Sequence, residues 1–77
     1  MSAERAIRMV PVRSGSLAAI GYDSRVRTLR IRFRNGGIYD YFEVAPSVYE
    51  GLLAGQPHPW SSWRRHITSA YRYRRVA

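Results

Sequence analysis

Residues 28–34 alternate without a break: Leu29, Ile31 and Phe33 fall on one side of an extended chain, Arg30, Arg32 and Arg34 on the other. Successive side chains of a strand point to opposite faces, so a period of two predicts a strand that is half buried and half solvated. Asn35-Gly36-Gly37 follows immediately. These residues tolerate the positive φ that tight hairpin turns need, and Ile38 to Val44 then returns as the partner strand.

The register of this hairpin decides which face is exposed. A two-residue turn at Asn35-Gly36 puts Ile38, Asp40 and Phe42 beside Leu29, Ile31 and Phe33, with Tyr39 and Tyr41 outside among the arginines. A three-residue turn, with Gly36 as the left-handed residue, reverses every side chain. Tyr39 and Tyr41 then enter the core and Asp40 lies opposite Arg30 on the solvent face. The second register is preferred, because it avoids burying a lone carboxylate.

The remaining segments complete an α+β reading. Ala6 to Val12 suggests a strand that Pro11 limits to an edge. Ser14-Gly15-Ser16 is a turn, and the apolar stretch Leu17 to Tyr22 ends at Asp23-Ser24. Pro46 suits the first turn of a helix whose apolar positions are Val48, Leu52 and Leu53 and whose stop is Gly55. Gln56-Pro57-His58-Pro59 reads as a non-helical loop. Ser61 or Ser62 then caps a second helix with Trp63, Ile67, Ala70 and Tyr71 on one stripe. The expectation is an antiparallel three- to four-stranded β-meander followed by two C-terminal helices. Residues 1–77 form a single domain, with 1–5 and 74–77 frayed or, at the C-terminus, adding a short extended piece.

With 77 residues there is room for one core only, and a domain this small buries only about 60% of its unfolded surface. No cysteine is present, so disulfides and thiolate metal sites are excluded as reinforcement; two Trp, six Tyr and two Phe must supply the contact area instead. The absence of cysteine fits a reducing compartment, and no stretch approaches the roughly 20 apolar residues of a membrane span, which makes the cytoplasm the default location. Thirteen basic residues, every one an arginine, face five acidic ones, for a net charge of +8 and a pI near 11.1. A GC-rich genome accounts for the missing lysines but not for the sign of the surface. Arginine grips phosphate bidentately and stacks on flat rings, so the charge points to a polyanionic partner.

Gly21-Tyr22-Asp23, then Leu29-x-Ile31-x-Phe33-x-x-Gly36-x-x-Tyr39-x-Tyr41, then Val44 and Pro46-x-Val48-Tyr49-x-x-Leu52, form an ordered series. It resembles the KTSC domain, a family named for the C-terminal region of some lysyl-tRNA synthetases and found also as small stand-alone bacterial proteins. The likeness runs from about Met9 to Val76. One stretch departs from it. Where the family places Ser-x-Gly and an aromatic pair with Asn, this chain has residues 56–67, in which Trp63 stands for one aromatic and Arg64 occupies the Asn position. The resemblance implies an RNA-binding role through the synthetase connection, an association rather than a site.

Two clusters are candidates for that role. On the strand, Arg30, Arg32 and Arg34 repeat about every 6.6–6.8 Å, comparable to phosphate spacing along a single strand. The competing reading is a charged edge that blocks aggregation. Near the C-terminus, Arg64, Arg65, Arg72, Arg74 and Arg75 interleave with Trp60, Trp63, Tyr71 and Tyr73. Cationic grooves with stacking aromatics hold single-stranded nucleic acid. Trp63 and Tyr71 fit a buried stripe, which leaves Trp60 and Tyr73 as the expected stacking residues. The expectation is that these arginines gather on a common surface.

An acidic protein partner is the alternative occupant of the same arginines. A small ribonuclease using His58 and His66 is a further one, although nothing in their spacing is specific. No catalytic residue, metal site or cofactor is expected, nor a membrane partner. The oligomeric expectation is a monomer or a weak dimer through an open edge.

Overall fold

The alternating run becomes the central strand of a sheet. In the structure, a computed structural model that describes residues 7–77, the elements in chain order are β1 (Val10–Pro11), β2 (Leu17–Asp23), β3 (Thr28–Phe33), β4 (Ile38–Tyr41), α1 (Pro46–Ala54), α2 (Pro59–Ala70) and β5 (Tyr73–Arg75). The five strands form one antiparallel sheet in the order β1-β2-β3-β4-β5. The expected meander and helix pair are both present, and the chain then adds a strand.

That strand is built from the C-terminal residues. β5 pairs with β4, and beyond it the Val76 N–H donates to the Ile38 carbonyl at 2.7 Å while the Ile38 N–H donates to Ala77 at 3.1 Å. Of the two readings of the C-terminus, a frayed end or a short extended piece, the described residues take the extended one. The physical reason is the open side of β4, whose unpaired backbone groups accept a strand as short as this one. Residues 1–5, also expected to be loose, lie outside the described residues, as does Ala6 of the first strand reading.

The hairpin adopts the three-residue turn. Phe33 N–H donates to Gly37 O at 2.8 Å and Gly36 N–H to Phe33 O at 2.9 Å, with Gly36 at φ 102°. Leu29 thus faces Tyr41, Ile31 faces Tyr39 and Arg30 faces Asp40. In β2, Leu17 and Ile20 are three apart yet both fully buried, because a bulge between Leu17 and Ala19 shifts the register and returns Ile20 to the core face.

The helices cover that face. Leu17, Ile20, Leu29, Ile31 and Tyr41 from the sheet pack with Val44, Val48, Leu52 and Ile67 in one buried cluster. Pro46 opens α1 and Gly55 closes it as expected. α2 begins earlier than expected, at Pro59 rather than after Ser61 or Ser62, with His58 at the N-cap position and no side-chain cap. Proline inside the first turn loses no hydrogen bond and arrives with helical φ, so Pro59 starts the helix rather than preventing it. The two helices meet where the Trp63 ring lies on Gly51: a Cβ on Gly51 would come within 2.8 Å of Trp63 Cε2 and nearer still to Cζ2.

The opposite face of the sheet carries Arg30, Arg32, Ile38, Asp40 and Arg74, as the strand pairings require. Part of it is crossed by the chain before β1. A Cβ on Gly21 would lie 2.7 Å from Ile7 Cγ2 and 2.9 Å from Met9 Sδ, so only glycine lets residues 7–9 pass this close.

Candidate nucleic-acid interface

Period two on β3 and β4 brings more aromatic surface to the helix side than the core can enclose. Phe33, Tyr39 and Tyr41 all point there, and β5 adds Tyr73 opposite Tyr41. α2 adds Trp60, whose ring meets Phe33 edge-on at 5.2 Å and 79°. Phe33 in turn meets Tyr39 edge-on at 5.7 Å, and Tyr73 lies 5.8 Å from both Tyr39 and Tyr41. Between these rings is an open cleft of about 380 Å³, lined by Phe33, Asn35, Tyr39, Tyr41, Trp60, Thr68 and Tyr73.

Its polar groups are few and already oriented. Asn35 Oδ1 accepts the Gly37 N–H at 3.0 Å, which leaves the amide N–H groups as its remaining donors. Thr68 Oγ1 donates to the Arg64 carbonyl at 2.9 Å, which leaves its lone pairs as acceptors. Burial pushes the Tyr41 phenol above its ordinary value, with Tyr39 and Tyr73 adding to the effect, so it stays protonated near neutral pH.

Arginines flank the cleft on two sides. A neighbouring hollow formed by Gly15, Ser16 and Arg34 shares Phe33, Asn35 and Trp60 with it. Arg34 is held there by its Nε–H, which donates to the Ser14 carbonyl at 2.7 Å. A second hollow, formed by Arg64 and Arg65, shares Thr68. Arg75 lies over the Tyr39 ring at 5.7 Å.

The expected site residues therefore divide. Trp60, Tyr73, Arg34, Arg64, Arg65 and Arg75 are brought together around the cleft. Arg30, Arg32 and Arg74 project from the other face of the sheet, and Arg72 sits at the α2–β5 connection with its carbonyl accepting the Phe42 N–H at 2.9 Å. The expectation of one common arginine surface is corrected: strand alternation sends Arg74 and Arg75 to opposite faces, as it does Arg32 and Phe33. Arg30 is also neutralised, since its Nε and Nη2 donate to Asp40 at 2.7 and 3.0 Å. Asp40 lies on the predicted face opposite Arg30 but is only 4% exposed rather than solvated, because that guanidinium clasps it.

Phe33, Asn35, Tyr39, Tyr41 and Thr68 were not among the expected site residues. The signal for the aromatics was present in the same alternation, which put three of them on one face beside Leu29 and Ile31; they were read as core alone. His58 and His66 do not converge. Both are exposed, about 12 Å of helical rise apart, and His66 Nε2 lies 3.2 Å from the Tyr71 hydroxyl. Among the described residues no cluster of His, Asp and Glu is arranged to hold a metal ion, and no helix is long and apolar enough to cross a membrane.

The same architecture occurs in a crystal structure of a KTSC domain protein from Yersinia pestis, with a TM-score of 0.85 and 26% identity over 94% of this chain and 100% of that one. A protein of Stutzerimonas stutzeri is 32% identical over 75 residues, covering 91% of this chain and 99% of its own length. One from Tsukamurella paurometabola is 44% identical over 48 residues, 62% of this chain and 72% of that protein. Residues 13–71, which contain the hairpin, both helices and most of the aromatic cleft, match the KTSC domain. The chain belongs to the KTSC domain family.

Proposed function

We propose that the protein binds nucleic acid, RNA foremost, on the side where α2 meets the β3–β4 hairpin. One observation carries this reading. Arg34, Arg64, Arg65 and Arg75 lie around an aromatic cleft, and none of them is paired with an Asp or Glu; among the described residues the ion pair is Arg30–Asp40, on the other face. Arg34 and Arg75 each give only the Nε–H to a backbone oxygen, of Ser14 and Ala77, so exposed guanidinium N–H groups remain for phosphate, and rings between them offer stacking surface. The association of the family with the C-termini of lysyl-tRNA synthetases favours RNA over DNA. The opposite-face arginines, Arg32 and Arg74, add to the attractive field without lying at the contact.

Binding of this kind releases counterions. If those arginines each replace one, the affinity for a single strand falls roughly fifty-fold between about 50 and about 200 mM salt. Fluorescence anisotropy with a short labelled RNA at the two salt concentrations measures this. Absence of binding at the lower concentration, or binding indifferent to salt, refutes the proposal. Equal competition by polyglutamate assigns the surface to an acidic protein instead.

A further inference from the structure

We propose that the cleft receives an unpaired nucleobase, so that the surface selects single-stranded nucleic acid, or an unpaired position within a folded one, over duplex. This rests on the nucleic-acid reading above and specifies what that site takes. A cleft of about 380 Å³ walled by Phe33, Trp60, Tyr39, Tyr41 and Tyr73 suits a flat, largely apolar ring. Bases in a duplex hide their faces in the stack and cannot enter; a base without a partner exposes them.

The polar groups fit such a ring. Asn35 contributes donors and Thr68 an acceptor, and a base edge presents both acceptors and donors. The charges fit its flanks. Arg34 lies in a hollow that shares Phe33, Asn35 and Trp60 with the cleft, and Arg64 and Arg65 lie in one that shares Thr68. The chain of a single strand places a phosphate before and after each base, and this arrangement offers cations in two separate hollows that adjoin the cleft. Nothing in these contacts tests the sugar, so the shared chemistry is the unpaired base between two phosphates.

Tyr73 makes the proposal testable without threatening the fold, being 59% exposed on the edge strand. The experiment compares four labelled probes at low salt: a short oligouridine, the same strand without its bases, an RNA duplex of equal charge, and oligodeoxyuridine. The intact RNA strand is expected to bind about tenfold more tightly than the abasic strand or the duplex. Tyr73→Ala and Trp60→Ala are each expected to remove most of that advantage while leaving abasic binding unchanged, with circular dichroism reporting that each variant is folded. Equal affinity for intact, abasic and duplex probes overturns the inference and leaves salt-dependent binding through arginine in place. Failure of every probe to bind overturns both. Oligodeoxyuridine binding as tightly as oligouridine identifies the base rather than ribose as the recognised group; much weaker oligodeoxyuridine binding means the sugar is read too, and overturns the claim that the base alone selects.

Discussion

Asp40 shows how one residue answers to three constraints. The three-residue turn sends it to the face opposite the helices, antiparallel pairing sets it between Arg30 and Arg74, and the Arg30 fork then takes both carboxylate oxygens. The pairing with Arg30 was readable from alternation once the turn type was chosen. The burial was not, since it depends on how neighbouring side chains close over the carboxylate. Replacing Asp40 by Ala strands a half-buried guanidinium and is expected to lower stability by about 1–3 kcal/mol, below the cost of breaking a fully buried pair because the Arg30 side chain is still 20% exposed. Urea unfolding measures the loss, and a change under about 0.5 kcal/mol would mean the pair is no more than a surface contact.

Among the elements, the helices were legible as stripes and illegible as a contact. Val48 and Leu52 in α1 and Trp63 and Ile67 in α2 follow helical spacing, and all four pack inward to some degree. Gly51 sits inside α1, where glycine costs about 1 kcal/mol relative to alanine. The structure explains it: the Trp63 ring occupies the space a Cβ would need. Gly51→Ala is therefore expected to destabilise by about 1–3 kcal/mol through overpacking, despite the gain in helix propensity. Thermal unfolding decides it, and a variant that melts higher than the parent would show that α1 and α2 separate freely. The start of α2 was missed for a related reason. A Pro-x-Pro loop was read as a barrier, whereas the second proline occupies the one helical position that favours it.

For the whole molecule, the sheet acts as a divider. It separates an aromatic, helix-covered side with its arginine-flanked cleft from a side where Arg30 is spent on Asp40 and residues 7–9 cross at Gly21. The cleft is also coupled to stability through Tyr41, which is both a wall of the cleft and part of the core. Burial raises its phenol above the usual value near 10, so the unfolded chain loses that proton first. Its contribution to stability is complete below about pH 10 and is lost as pH climbs through the folded value. Tyr41→Phe is expected to make the alkaline decline in stability shallower, which urea titrations at graded pH will read. An unchanged slope would assign the decline to other groups, Tyr22 first, whose phenol burial also raises.

Two things about this protein follow from the order of its residues alone: the hairpin and the sign of its surface. A strict period of two, a glycine that can turn left-handed and thirteen arginines against five carboxylates act locally or by simple sum, so no distant contact can reverse them. Tertiary structure alone decided which arginines share a surface, that the C-terminal residues extend the sheet as β5, and that Phe33, Tyr39, Trp60 and Tyr73 border a cleft beside the buried Tyr41. Those outcomes depend on which strand lies beside which and on how far α2 stands from the sheet, quantities set by packing between segments far apart in the chain.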